Sequence, residues 1–450
     1  VKHPKRSDLK PSFFSSKVNQ IGNGVKFMRR MNRPRGTVDI LPGEVEKWQY
    51  IEDIARKLCR NFHYQEIRTP IFEHTDLFER GVGDETDIVQ KEMYTFSDRG
   101  NRSLTLRPEG TAAVVRAYVE NKIFADGLTT TKLFYMGPMF RYERAQAGRQ
   151  RQFVQFGVEA LGSDDPAIDA EVIALAMSFY QSLGLKNIRL VLNSLGDVQS
   201  RLDYRQALIR HFDPVIESYC LDCQKRLQTN PLRILDCKVD REKPEMKTAP
   251  NIQAYYSKEA KIYFETVLQY LDALGVTYTI DQNLVRGLDY YNHTAFEIML
   301  DGEGFGAITT LCGGGRYNLL VEELGGPRTP GIGFALSIER AIMALNAEHI
   351  ALPIEMILDC YVISMGEAAR IKSLKIVSDL RKKGFSCELD YIGRKMKTLF
   401  KEAERAQAQF VLILGDNELK RGTIQVKHMA TALQKEIHLE QLTQYLQQMR

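Results

Sequence analysis

The sequence predicts a multidomain α/β protein: an antiparallel sheet flanked by helices, a helical insertion within it, and a C-terminal α/β domain. Three observations carry this. β-rich runs at 93–98, 103–108, 132–143 and 151–161 succeed one another with few helical patterns between them, as in an antiparallel sheet. Residues 195–280 are dominated by helical periodicity and charge. Beyond Leu352 strand and helix patterns alternate. At 450 residues a single core would be unusually large, and we read a tail over 1–33, a first domain over 34–350 with its insertion at about 195–280, and a second domain over 351–450.

In chain order, residues 1–35 carry ten Lys or Arg against one acid and show no helical or strand period. They read as a flexible basic tail, with Met31 as a natural start; the alternative is a basic arm that touches RNA phosphates. After Gly43, Trp48, Ile51, Ile54, Ala55 and Leu58 share one helical face, and the run EIRTPIFE then turns β-like. Pro70 offers no backbone donor, which suits a sheet edge, a bulge or a subunit contact. Between the β-runs, TAAVVRAYVENKI reads as a helix with Thr111 near its start. Strand character returns after the insertion at TAFEIML, and GIGFALSIERAIMAL is a strand running into a helix. In the last hundred residues DCYVISMG, FSCELDY, QFVLILG and GTIQVKH are strands between helices at 367–383 and 394–407, which predicts a mostly parallel sheet.

Composition removes several classes. With 44% hydrophobic and 26% charged residues, disordered, collagenous and mucin-like chains are excluded. No stretch approaches 18 consecutive apolar residues, so no helix spans a membrane. Seven cysteines, an odd number, and no secretory leader pattern predict a reducing cytoplasm. Residues 36–350 hold 35 Lys or Arg and 44 acids, whereas 351–450 hold sixteen and twelve. A nucleic-acid partner therefore needs local basic surfaces.

The chemistry-bearing residues fall into a few clusters. RPEGT at 107–111 places a carboxylate, a glycine and a hydroxyl at a strand-to-helix junction rich in free backbone donors. Either Glu109 and Thr111 hold a zwitterion there, or Thr111 caps the helix and Glu109 is solvated. In FRYERAQAGRQRQFVQFGVE, Arg141, Arg144, Arg149 and Arg151 crowd a hairpin, a repulsion that makes sense around an anion with several oxygens and otherwise marks a solvated charged hairpin. On its second strand Gln155, Gly157 and Glu159 share one face, an open slot between an amide and a carboxylate. LVRGLDYYNHTAFE supplies Arg286, Asp289, Tyr290 and Tyr291. GGGRYN at 313–318 reads as a Gly-rich loop, Gly313, Gly314 and Gly315 followed by Arg316 and Tyr317, whose glycines admit close backbone approach. Neither dinucleotide nor P-loop spacing is present. Cys220, Cys223 and Cys237 resemble part of a zinc site without an evident fourth ligand; His211 serves only weakly, and we read reduced cysteines and no metal.

Together these motifs resemble the class II aminoacyl-tRNA synthetases, and among them the histidyl-tRNA synthetases of bacterial type, over residues 34–450. PRGTVDILPGE is similar to the family's opening, the helix with EIRTP to its dimer-forming motif 1, RPEGT and FRYERAQAGRQRQFVQFGVE to its ligand loop and motif 2, and GIGFALSIER to motif 3. LVRGLDYYNHTAFE and GGGRYN are the signatures that single out histidine. The resemblance implies a cytoplasmic homodimeric ligase that activates L-histidine with Mg-ATP to histidyl-adenylate and pyrophosphate, then transfers histidine to the 3′ end of tRNA(His). It implies Arg141 and Arg286 as catalytic residues on the α-phosphate. Glu109, Thr111 and Gln155 then hold the α-amino group, Gly110 between them also binds histidine, Glu159, Tyr290 and Tyr291 line the imidazole pocket, and Glu143, Arg149 and Arg340 join Arg141 at ATP. The C-terminal domain resembles the family's anticodon-binding module, and Arg394, Lys395, Lys397 and Lys401 suit RNA.

Ala145, Gln150 and the pair Asn318 and Leu319 depart from the usual family pattern, which bears on rate rather than on reaction type. The competing class is the synthetase-like regulatory subunit of ATP phosphoribosyltransferase, which shares the catalytic fold and usually lacks the anticodon domain. The C-terminal hundred residues and the LVRGLDYYNHT arginine argue against it.

Overall fold

The computed structural model describes residues 31–83, 86–125, 130–288, 290–301, 310–354 and 358–449. The tail expected at 1–33 lies outside them as far as residue 30, and so does Asp289. The chain divides into two compact units, the first comprising residues 1–40, 57–181 and 186–344, the second 41–56, 182–185 and 345–450.

The strands of the first unit are β1 (Gln65–Glu66), β2 (Phe72–His74), β3 (Tyr94–Ser97), β4 (Ser103–Leu106), β5 (Thr131–Phe140), β6 (Gln152–Leu161), β7 (Ile188–Ser194), β8 (Thr279–Ile280), β9 (Asn292–Leu300), β10 (Thr310–Arg316) and β11 (Gly331–Ser337). Eight form one sheet in the order β1-β5-β6-β11-β10-β9-β7-β8, antiparallel except for the parallel pairs at its two edges. Two expectations are corrected. The β-runs at 93–98 and 103–108 belong to a separate three-stranded sheet, β2-β4-β3. The Pro-bearing run EIRTPIFE is no continuous strand: Pro70 cannot donate to a ladder, and the chain breaks there into β1 and β2.

Strand alternation decides which side of the sheet is core. On β6, Phe156 and Val158 are fully buried, and Phe156 packs on Phe134, Phe334 and, from the helix Pro166–Ser182, Phe179. Gln155, Gly157 and Glu159 point the opposite way, toward the helix Thr111–Glu120 and its N-terminal turn. The insertion follows β7 and builds its own core around Tyr204, Phe212, Tyr219, Leu227 and Ile234.

The second unit contains β12 (Leu358–Ser364), β13 (Cys387–Leu389), β14 (Ala408–Leu414), β15 (Thr423–His428) and β16 (Gln434–His438), ordered β13-β12-β14-β15-β16. Two pairings are parallel and two antiparallel, so the expected mostly parallel sheet is mixed: a tight connection returns the chain from β15 directly into β16. Cys360, Val362, Phe410 and Leu412 feed one core, whereas Tyr361, Ile363, Val411 and Ile413 feed the other. Both faces are buried, which is why 360–363 in β12 and 410–414 in β14 read as unbroken apolar runs.

Candidate active site

A row of paired residues crosses the middle of the large sheet: Tyr135 on β5 opposes Gly157 on β6, Gly157 opposes Ala335 on β11, Ala335 opposes Gly313 on β10, and Gly313 opposes Glu297 on β9. Small residues occupy the centre and large ones the ends, so the row forms the floor of a cleft. The cleft measures about 370 Å³ and is lined by Glu109, Thr111, Arg141, Glu143, Arg149, Gln155, Arg286, Tyr290, Tyr291, Gly313 and Arg340 among others. Eleven residues singled out from sequence, spread over 232 positions, thus share one concavity of ligand size.

Glu109 is buried and does more than a solvated neighbour of a capping Thr. Its Oε2 accepts from the Thr111 N–H at 2.7 Å and its Oε1 from the Ala112 N–H at 2.9 Å, so Glu109 itself ties down the helix N-terminus. Burial raises its pKa, and those two amides oppose the rise. Gly110 does not line the cleft. A Cβ there would lie 2.2 Å from the Tyr135 ring, and one on Gly157 would lie 2.4 Å from the same ring, so both glycines make room for Tyr135.

Glu159 lies beneath this end, 1% exposed, with its Oε2 accepting a short hydrogen bond from the Tyr317 hydroxyl. Its other oxygen, and Oε1 of Gln155 nearby on the same strand face, make no hydrogen bond of normal geometry with any described residue. Buried acceptors of this kind cost about 1–3 kcal/mol each unless a ligand supplies donors. Across the sheet Gly333 opposes Glu159, and a Cβ there would lie 2.0 Å from the carboxylate.

The opposite end of the cleft is cationic. Arg141 donates through Nε to the Pro108 carbonyl at 2.8 Å, and Arg340 donates to the carbonyls of Gly148 at 3.1 Å and Thr310 at 2.8 Å. Arg149 lies 3.6 Å from Glu143. Burial, and then the charges of Arg149 and Arg141, push the Arg340 pKa down. Guanidiniums that destabilise one another's charge in a half-buried cleft are arranged for a polyanion. Arg144 is not among the lining residues, and Arg151 stacks on Tyr142 with its guanidinium 4.0 Å from the ring centre.

Arg286 comes in from the far side. It pairs closely with Glu297, which also accepts from the Thr310 hydroxyl at 2.9 Å, and its guanidinium lies over Gly313, where a Cβ would come within 2.1 Å of it. Sequence reasoning missed Glu297, Thr310 and Tyr135. A charged residue inside the apolar strand TAFEIML is the one signal that could have marked Glu297.

The expected Gly-rich loop is corrected. Gly313, Gly314, Gly315 and Arg316 belong to β10, paired on both sides. The glycines serve close approach within a sheet: a Cβ on Gly314 would lie 2.4 Å from the Gly333 carbonyl oxygen, and one on Gly315 would lie 2.6 Å from that of Thr294. Arg316 is fully buried on Asp169 and absent from the cleft lining, and Tyr317 lies behind the cleft, bonded to Glu159 and packed edge-on against Tyr290 at 5.6 Å.

Burial raises the Glu159 pKa from the ordinary 4.5 to about 8, with Glu109 adding to the rise while Tyr317 and Thr111 oppose it. The folded-state value exceeds the unfolded one. The proton it retains therefore contributes stability that is fully present below about pH 4.5 and is lost as pH rises through about 8. Unfolding free energies measured between pH 5 and about 8.5 should fall less steeply in Glu159→Gln, which has no proton to lose, than in the native chain; equal slopes would refute this account.

Residues 36–341 match the family described as histidyl-tRNA synthetase, and residues 359–449 match the anticodon binding domain. The chain is 66% identical over 406 residues to the histidine–tRNA ligase of Anoxybacillus flavithermus, covering 90% of this chain and 96% of that one. It superposes on apo histidyl-tRNA synthetase from S. aureus with a TM-score of 0.81 at 50% identity, over 93% of this chain and 100% of that one. A Bacillus halodurans protein described as an ATP phosphoribosyltransferase regulatory subunit/histidyl-tRNA synthetase gives a TM-score of 0.61 at 21% identity over 85% of this chain and 98% of its own, a likeness of fold alone. With its cleft and both family matches in one chain, the protein belongs to the histidyl-tRNA synthetase family, the ATP-dependent ligases that join histidine to tRNA.

Proposed function

We propose that this cleft carries out the ligase's first step, holding histidine over Glu109, Thr111, Gln155 and Glu159 and the ATP phosphates among Arg141, Arg149, Arg286 and Arg340. The observation that supports this division is the pairing, in one cleft, of unpartnered buried acceptors at one end with mutually repelling guanidiniums at the other. The histidine ammonium meets the Glu109 carboxylate and the Gln155 Oε1. The imidazole presents a ring N–H to the free oxygen of Glu159, favouring the carboxylate form that burial alone disfavours, beside Tyr290 and Tyr291, whose rings lie 4.6 Å apart. Apolar amino acids are rejected because they would leave these acceptors unpaired.

In the reaction a carboxylate oxygen of histidine attacks the α-phosphorus, the P–O bond to the β-phosphate breaks, and pyrophosphate leaves with its electron pair. Arg141 and Arg286 grip the α-phosphate from two sides and neutralise the charge that builds on it. Holding both reactants in register supplies much of the remaining acceleration. Mg²⁺ fits as a companion of ATP: beyond the cluster of Cys220, Cys223, Cys237 and Asp240, the described residues form no cage of three or more His, Cys, Asp or Glu ligands, and Glu143 is a carboxylate at the phosphate end. Magnesium of this kind is held by one or two carboxylates and the phosphates themselves, and it would screen their charge. In the second step a hydroxyl of the tRNA 3′ end attacks the activated carbonyl and AMP departs.

The reading extends to the whole molecule as a cytoplasmic homodimer, with residues 34–350 catalytic and 351–450 reading tRNA(His). Light scattering at micromolar concentration should give twice the 51.5 kDa chain mass. In the second unit Arg394 is committed internally, to Asp390 at 3.8 Å and Glu402 at 3.2 Å, and precedes the helix Met396–Arg405. Lys395, Lys397 and Lys401 are exposed, as is Tyr391 a few residues before them, cations and a ring of the kind that suits single-stranded bases. Changing Lys397 and Lys401 together to Glu should lower tRNA charging at least about tenfold, more at low salt, with pyrophosphate exchange unaltered. Equal loss of both activities would argue against an RNA role for this surface.

The deciding experiment is exchange of labelled pyrophosphate into ATP with histidine, with a panel of other amino acids, and with Mg²⁺ present or chelated. Exchange with histidine and magnesium alone supports the pocket assignment. Exchange driven equally by an apolar amino acid would overturn it.

A further inference from the structure

The helical insertion contains a second constellation, none of whose residues lines the cleft. Cys220, Cys223, Cys237 and Asp240 bring three sulfurs and a carboxylate oxygen within 4.8 Å of one another. The fourth ligand missing from the linear sequence is Asp240, and the pattern is therefore C-x-x-C followed, after thirteen residues, by C-x-x-D. His211 is excluded from the group, because its Nε2 is engaged with the Glu245 carbonyl at 2.9 Å.

The spacing fits a tetrahedral ion. Zinc bonds of about 2.3 Å to sulfur and about 2.0–2.2 Å to oxygen require S···S edges of about 3.8 Å and S···O edges of about 3.5–3.7 Å. The Sγ atoms of Cys220 and Cys237 lie 3.8 Å apart, and Cys237 Sγ lies 3.5 Å from Asp240 Oδ2. All seven cysteines of the chain are free, and 3.8 Å is nearly twice a disulfide bond of about 2.05 Å.

The surroundings match a structural metal site. Cys220 precedes the helix Leu221–Thr229 and Cys223 lies in its first turn, while Cys237 and Asp240 come from the turn after the next short helix. The Asp240 N–H donates to Cys237 Sγ at 3.4 Å and the Cys220 N–H to Asp240 Oδ2 at 3.0 Å, bonds that orient ligands around an ion. Cys223, Cys237 and Asp240 are each at most 5% exposed. Three thiolates and a carboxylate around a divalent ion leave a double negative charge, which Lys243, 3.7 Å from the carboxylate, offsets in part. Ordinary core packing accounts for the cysteines as small apolar residues but not for a buried carboxylate set among them.

We propose that Cys220, Cys223, Cys237 and Asp240 bind one tetrahedral zinc ion that fixes the fold of the insertion. The thiols release their protons to solvent as zinc enters, and no redox step is involved. Its fixing extends beyond the insertion. Arg226, on the helix that follows Cys220, and Arg233 reach Asp87 at 3.6 and 3.3 Å, and the backbone carbonyl of Glu92, five residues on, accepts the Tyr142 N–H at 2.7 Å next to Arg141.

The full chain purified without chelator should retain about one zinc per chain after dialysis. Replacement by Co²⁺ should yield intense visible ligand-field bands of a tetrahedral site and thiolate-to-metal charge transfer. Asp240→Ala and Cys237→Ser should each weaken retention at least about tenfold, whereas Asp240→Cys, which restores a four-ligand set, should keep it. The cobalt spectrum is read on the native chain and stands even where a variant fails to fold. The proposal is overturned by native protein that retains no zinc after incubation and desalting, by a Cys220–Cys237 disulfide in its peptides, or by retention unchanged in both weakened variants.

Discussion

Arg286→Ala loses histidine-dependent pyrophosphate exchange by about 10³-fold while the protein stays folded. The magnitude follows from the role proposed for the side chain at the α-phosphate. A single preorganised donor at developing charge is worth about 10²–10³ in rate, and a guanidinium adds a full positive charge within a shielded cleft. Arg286 is held ready by Glu297 below and by the bare backbone of Gly313 beside it, and its Nε has no hydrogen-bond partner among the described residues. Alanine leaves Glu297 its bond from Thr310, so the fold keeps an anchor for that carboxylate. Arg286→Lys retains charge beside Glu297 but lacks the planar fork, and should recover stability without recovering rate. Near-normal exchange by the alanine variant would sink the assignment, since the remaining arginines would then suffice.

Asp169→Ala should destabilise the chain by about 3–5 kcal/mol, the cost of leaving a buried charge without its partner. Arg316 is 0% exposed, and its guanidinium is held by Asp169 on two nitrogens and by the Ser163 carbonyl at 2.9 Å. The Thr294 hydroxyl donates to the same carboxylate at 2.6 Å, and the Tyr263 ring of the insertion lies 5.6 Å from the guanidinium. The hub joins β9, β10, the helix Pro166–Ser182 and the insertion. Denaturant midpoints measure the loss. The double variant Asp169→Leu with Arg316→Met should recover part of it, because replacing both partners removes the unpaired charge. A single-variant loss below about 1 kcal/mol would mean that water reaches this pair.

Much of the site could be read from local patterns. Gln155, Gly157 and Glu159 share a face because strand geometry alternates with period two, and the helix after Thr111 is written in its own apolar spacing. What failed was anything that depends on which strands become neighbours. The three glycines of GGGRYN looked like a loop because glycine is rare inside strands, yet their neighbours are Phe296, Tyr291 and the carbonyls of Gly333 and Thr294, all distant in sequence or on another strand. Asp240 was unrecognisable as a ligand for the same reason: carboxylates are common, and only folding brings one to 3.5 Å from Cys237.

The sequence by itself determined the family, the reaction class and the residue types that gather at the cleft, because those demands are met by short motifs whose spacing survives in one dimension. Tertiary structure decided the roles within them. Arg286 and Arg316 belong to similar Gly- and Tyr-bearing segments, but one overhangs the cleft and the other is sealed against Asp169. Arg316 ends strand β10, where its pairing turns it inward, whereas Arg286 sits in the irregular segment between β8 and β9 and reaches Glu297 and Gly313; both placements rest on contacts between segments that the chain order does not record.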